Sequence, residues 1–183
     1  AKRSVRLTVP LVLISQVSRS GGTLLSQLFD GHPQVAAHPH ELGIGYPSGE
    51  YWLSGAKTPR ETLAKMAEYD HFQLARSGYF KGHQQTERMA FLLSAAAQDA
   101  IFTALWQAAP PRNSRDFADI YFSSYFQAWL NYRQPLAGIR YVTAFQPRFA
   151  TSGDKVEAFF STYPDGFLIQ ILRDPWSWYA SAR

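Results

Sequence analysis

Between Val9 and Phe29 the hydrophobic pattern changes period, and that change constrains the fold more than any other feature of the chain. Val9 to Ser15 is a short, nearly continuous apolar run with Pro10 near its beginning, which suits a strand buried on both faces better than a half-exposed one. It gives way to Gln16-Val17-Ser18-Arg19-Ser20-Gly21-Gly22, after which Leu24, Leu25, Leu28 and Phe29 recur as a helical stripe. Gly31-His32-Pro33 then stops the helix, because Gly suits the C-terminal cap and Pro cannot continue it. Strand, glycine-containing turn and helix follow one another within about twenty residues, a short βα connection.

The rest of the chain continues in the same manner. His38 to Pro59 is rich in Gly, Pro, Ser and His without a sustained period and reads as loop, and Pro59 to Tyr69 reads as a short helix. Longer helices are expected over Glu87 to Ala109, ended by Pro110-Pro111, and from Ser114 to Tyr132, before Gln134-Pro135. Phe117, Tyr121, Tyr125 and Trp129 recur every fourth residue along the second of these, an aromatic stripe expected to pack in the core. Gly138 to Phe145 is expected as a strand, Asp154 to Phe160 as a helix and Phe167 to Leu172 as another buried strand. Arg173-Asp174-Pro175 follows, where Asp174 can cap and Pro175 can open a helix carrying Trp176 to Arg183. Strands alternating with helices predict an α/β fold, a mostly parallel sheet with helices on both faces.

At 183 residues, 46% of them hydrophobic, the chain has the size of one domain covering 1–183. Leu11 to Ile14 is far short of the ~20 apolar residues of a membrane span. The chain has no Cys, which removes disulfides and thiolate chemistry and suits either redox compartment; a cytoplasmic location is the default expectation. A net charge of +4 favours anionic partners, but the basic residues are dispersed, with no cluster of the kind that marks a nucleic-acid face. The chain starts at Ala1 and stops inside a predicted helix at Ser181-Ala182-Arg183, so a fragment is expected.

A loop between a buried strand and a helix aims backbone N–H groups at one point and makes a natural anion site. In Ser18 to Thr23, Gly21 and Gly22 allow close backbone approach, Arg19 offers a fork of donors, and Ser20 and Thr23 offer hydroxyls. The triphosphate loop G-x-x-x-x-G-K-[ST], aligned with its last position on Thr23, fails at two defining places: Gln16 stands at the first Gly and Gly22 at the Lys. A triphosphate-hydrolysing site thereby loses its main cation.

The string SRSGGTLLSQLFDGHPQV, Ser18 to Val35, resembles the 5′-phosphosulfate-binding segment of sulfotransferases, whose carbohydrate, tyrosyl-protein and bacterial branches show R-S-G-[TS]-[TS]-L-L and a helix ending near H-P. The resemblance implies a P-loop-like fold in which Arg19, Ser20, Gly21, Gly22, Thr23 and Leu24 surround the 5′-phosphosulfate of 3′-phosphoadenosine 5′-phosphosulfate (PAPS). The sequence departs from the family at Gly22, where Thr or Ser is more usual, so a backbone contact is expected to replace a side-chain hydroxyl there. Phe167 to Arg183, FLIQILRDPWSWYASAR, resembles the family's 3′-phosphate segment, an Arg before Asp-Pro with a Ser eight residues after it. It implies that Arg173 and Ser181 bind the 3′-phosphate. Arg173 stands at the carboxyl end of a predicted strand, where ligands of open α/β sheets collect, and Ser181 stands about two helical turns on.

Sulfuryl transfer to a hydroxyl needs a base for the acceptor proton and positive groups for the departing phosphate. The resemblance implies a Glu shortly after the H-P helix end, and Glu41 in His38-Pro39-His40-Glu41-Leu42 is the first candidate; His40 is the second and His38 the third. Their spacing is not a helical zinc signature and the family's reaction requires no metal, so none is expected. The sequence thus points to a PAPS-dependent sulfotransferase acting on a hydroxyl-bearing acceptor: a carbohydrate, small molecule, lipid or peptide Tyr. A P-loop kinase or nucleoside triphosphatase and a non-catalytic binding module of the same fold are the alternatives. Val142 to Pro147 carries no site across from the family, and the resemblance implies a further C-terminal portion that is expected to lie outside these residues.

Overall fold

The computed structural model describes residues 4–42, 58–77 and 92–182. Among them four strands, β1 (Leu11–Gln16), β2 (Val35–Glu41), β3 (Tyr141–Phe145) and β4 (Phe167–Ile171), form one all-parallel sheet in the order β2-β3-β1-β4. The connections carry α1 (Gly22–Leu28), α2 (Pro59–Met66), α3 (Asp70–Ser77), α4 (Ala95–Ala108), α5 (Ser114–Ala128), α6 (Gly153–Thr162) and α7 (Pro175–Ala182). This is the α/β architecture with a helix-flanked parallel sheet that the alternating pattern predicts. No described helix is long and apolar enough to cross a membrane.

β1 pairs with β3 on one side and β4 on the other, and both of its faces are covered, Leu11 and Leu13 being buried on one and Ile14 on the other, which is what the apolar run predicts. Alternation sends Leu11 and Leu13, with Val142 and Ala144 of β3, into a core shared with Phe117 and Phe122 of α5 and Phe159 of α6. Gln16 and Phe145 leave the opposite face of the same strands and meet the start of α1. The connection after β1 therefore leaves toward one face of the sheet, and the one after β3 toward the other. Such a reversal opens a crevice at the carboxyl ends of the two strands.

α5 is buried on every side from Phe117 to Phe126, so Phe117, Tyr121 and Tyr125 of the aromatic stripe are core, as expected, while Trp129, just past the helix, is partly buried against it. Its buried serines are satisfied locally: Ser124 Oγ donates to Tyr121 O at 2.8 Å, while Ser123 Oγ donates to Asp119 O and accepts the Leu7 N–H. Asn113 caps the helix through the Asp116 N–H, and the helix ends at Ala128, short of the expected Tyr132.

Two elements differ from the sequence reading in kind. The loop expected from His38 to Pro59 does not start at His38, because Val35–Glu41 is a strand whose Ala-Ala-His-Pro-His composition hides it; residues 43–57 lie outside the described residues. Among the described residues β2 is an edge strand paired with β3 alone, so Pro39 is tolerated there, and the register shifts between Ala37 and Glu41. α3, unassigned in the sequence, follows α2 after a short turn. The helix expected from Glu87 starts at Ala95, where the Ser94 hydroxyl accepts the Ala97 N–H; residues 87–91 lie outside the described residues.

Candidate functional site

The loop between β1 and α1 is a compact turn. Ser20 N–H donates to Val17 O at 3.2 Å, with Arg19 at the third position in the left-handed region (φ 67°) and Gly21 also left-handed (φ 98°). A Cβ on Gly21 would meet nothing within 4 Å, so open space lies beside it. Ser20 Oγ is buried without a hydrogen-bond partner, an arrangement that costs free energy unless something fills it. α1 has neither a capping side chain nor an acidic residue in its first turn; at seven residues its dipole is small, so fixed donors and cations dominate the local field.

Gly22 is where the sequence departs from the family it resembles, and the structure gives a reason. Its N–H donates to Gln16 Oε1 at 2.6 Å, so this donor is already taken inside the protein instead of being offered to a ligand. A Cβ there would lie 2.5 Å from Phe145 Cε2 and 2.9 Å from the Gln16 amide. Gln16 and Phe145 thus seat the turn, a role the sequence alone does not signal.

The second segment folds against the first. Asp174 caps α7, accepting the Ser177 N–H at 3.0 Å and its hydroxyl at 3.1 Å, with Pro175 as the first helical residue, as the residue types predict. Trp178 Nε1 donates to Ser18 O at 2.5 Å, and Arg173 Nη1 makes a long 3.5 Å hydrogen bond to Arg19 O. Arg19, Ser20, Gly21 and Arg173 are therefore gathered at the carboxyl ends of adjacent strands β1 and β4. Thr23 is half-buried and Leu24 is exposed on α1. Ser181 lies on α7, and its side chain is outside the described residues.

The candidate bases separate. Glu41 ends β2 opposite Phe145 of β3, on the same sheet edge as the turn but two strands from β1, ~10 Å at ordinary strand spacing. The His40 side chain lies outside the described residues. His38 is corrected: it is 3% exposed, its Nε2 lies 3.0 Å from Tyr121 Oη and its ring packs on Tyr125, because alternation along β2 sends it to the core face with Ala36. Among the described residues no three His, Asp or Glu side chains gather to hold a metal ion.

On the other flank of the crevice, Arg148 N–H donates to Gln16 O at 2.8 Å. Arg148 and Arg19 are the two non-glycine residues with positive φ among those described, and both sit on loops leaving the sheet's carboxyl edge. Held left-handed residues cluster at functional sites. Arg19→Gly is expected to be about 1 kcal/mol more stable than Arg19→Ala, since both remove the charge but only Gly relieves the backbone. Urea unfolding of the two variants checks this, and an Ala variant as stable as the Gly variant contradicts it.

No family model matches the chain, and no curated protein or solved structure matches it either.

Proposed function

We propose that this protein is a sulfotransferase that binds a 3′,5′-phosphorylated adenosine donor across the carboxyl ends of β1 and β4. The observation that carries the reading is the contact between the two segments that resemble the family's donor-binding motifs, through Trp178 and Arg173 to the Ser18 and Arg19 carbonyls. The contacting residues are 154 and 160 positions apart in sequence, so only the fold brings them together. The orphaned Ser20 hydroxyl and the open space beside Gly21 fit an anion carrying acceptor oxygens.

PAPS, when bound, supplies the sulfuryl group. In this reading Arg19 and the Ser20 hydroxyl hold the 5′ end and stabilise charge on the departing phosphate oxygen, while Arg173, with Ser181, holds the 3′-phosphate. The acceptor hydroxyl sits over Phe145, between the turn and Glu41, and Glu41 takes its proton. Since Glu41 is two strands away, its side chain from one flank and the sulfuryl group from the other must both reach the single hydroxyl oxygen that reacts.

Calorimetric titration with adenosine 3′,5′-bisphosphate and with ATP plus magnesium tests the reading. Wild type should prefer the bisphosphate, and Arg19→Ala and Arg173→Ala should each weaken it about tenfold, the effect of losing one charge-assisted hydrogen bond. Binding of ATP alone would favour a kinase-like site, and an unchanged affinity in both variants would remove these arginines from it.

A further inference from the structure

Three aromatic residues lie on the first turns of α7, and they point to different surroundings. Trp176 is 85% exposed and Tyr179 is 55% exposed, whereas Trp178 is half-buried with its indole N–H on Ser18 O at 2.5 Å. A Trp donor satisfied by a loop carbonyl fixes that loop, and here the loop is the anion-facing turn. Across one planar trans peptide the carbonyl of Ser18 and the N–H of Arg19 point in opposite directions. Holding the carbonyl toward α7 therefore turns the Arg19 N–H away from α7. The next carbonyl, that of Arg19, is held from the same side by Arg173, and the next N–H, that of Ser20, closes the turn on Val17 O. Two successive peptide planes of the turn are thus oriented from α7 and the end of β4, with Arg19 left-handed between them.

We propose that Trp178 is a positioning residue for the 5′ end of the donor: it touches no reacting atom, but it sets the peptide plane that presents the turn's donors and the Arg19 side chain. The inference rests on the donor-binding reading above. It makes the two phosphate-binding segments one unit, so that a defect introduced on α7 is felt at the 5′-phosphate.

The test compares two nucleotides on the full chain, adenosine 3′,5′-bisphosphate and adenosine 3′-monophosphate, with wild type and Trp178→Phe. Phe keeps an aromatic ring against the loop and removes the N–H. The variant should bind the bisphosphate about five- to tenfold more weakly, the size of one lost hydrogen bond, and the 3′-monophosphate as well as wild type does. A general loosening of α7 would weaken both nucleotides together, and that outcome overturns the proposal, as does an unchanged bisphosphate affinity. If wild type binds neither nucleotide, the donor site itself falls and the inference with it. If the variant melts at a lower temperature than wild type, 3-benzothienylalanine at position 178, the same bicycle with sulfur in place of N–H, repeats the comparison with the shape preserved.

Discussion

Gly22→Ser lowers the stability of this protein by about 2 kcal/mol, the usual scale of overpacking, although Ser is a common residue at this place in the family the segment resembles. The new Cβ falls 2.5 Å from Phe145 Cε2 and 2.9 Å from Gln16 Cδ and Oε1. Phe145 is 2% exposed at the end of β3 and cannot swing away without opening a void. Gln16 has a more flexible side chain, but moving it surrenders the 2.6 Å bond it accepts from the Gly22 N–H, which is buried. Either response costs free energy, and neither delivers the added hydroxyl to a ligand in the family's geometry. Urea midpoints of Gly22→Ser, Phe145→Leu and the double variant measure the effect. The shorter Leu makes room, so the double variant should lose less than the sum of the singles. A Gly22→Ser midpoint equal to wild type would refute the close approach.

That residue also illustrates how far the sequence could be read. The segments around β1 and β4 are legible because their signals are local: an apolar run, a turn residue, a cap and a helical stripe lie within twenty residues of one another. Asp174 and Pro175 open α7 as their side chains dictate, and Arg19 and Arg173 emerge on adjacent strands because β1 and β4 pair. β2 is illegible because nothing in Ala36-Ala37-His38-Pro39-His40 favours a strand locally; pairing with β3 and packing of His38 on Tyr121 and Tyr125 override the loop signal. The same override moves His38 out of the candidate bases. Gln16, Phe145 and Trp178 escape the sequence for a different reason. Each acts on the turn through a contact that only the fold creates, and a Gln, a Phe and a Trp at such positions look like ordinary turn, strand and helix residues. Glu41 is intermediate: its place on the same edge of the sheet as the turn follows from β2, while its distance from β1 follows from the strand order, which no local pattern encodes.

Asp119 is expected to make the protein's stability fall as pH rises toward neutrality. It is 6% exposed in the middle of α5, and burial pushes its carboxyl up to about 7 from an ordinary 3.8, with Arg115 and Arg6 only partly opposing the rise. Both cations are committed elsewhere: Arg115 makes paired bonds of 2.5 and 2.9 Å to Asp165, and Arg6 bonds Asp116 at 3.0 Å. Below about pH 4 the group is protonated in the folded and the unfolded chain alike. Between about pH 4 and 7 the unfolded chain releases the proton and the folded one retains it, so stability is lost across that window; above it both forms are ionised and the loss is complete. A shift of this size amounts to about 4 kcal/mol at most. Asp116 and Asp165 act oppositely, since their carboxyls are held below the ordinary value and their contribution is lost only as the pH falls through the acid range. Asp119→Asn isolates the effect, because Asn has the shape of the neutral acid and cannot ionise. The difference in unfolding free energy between variant and wild type should be small at pH 4, grow in favour of the variant from pH 5 to 7 and level off above. A difference that stays constant from pH 4 to 8 would mean that Asp119 ionises in the folded protein as it does in water, and that one of the two arginines neutralises it after all.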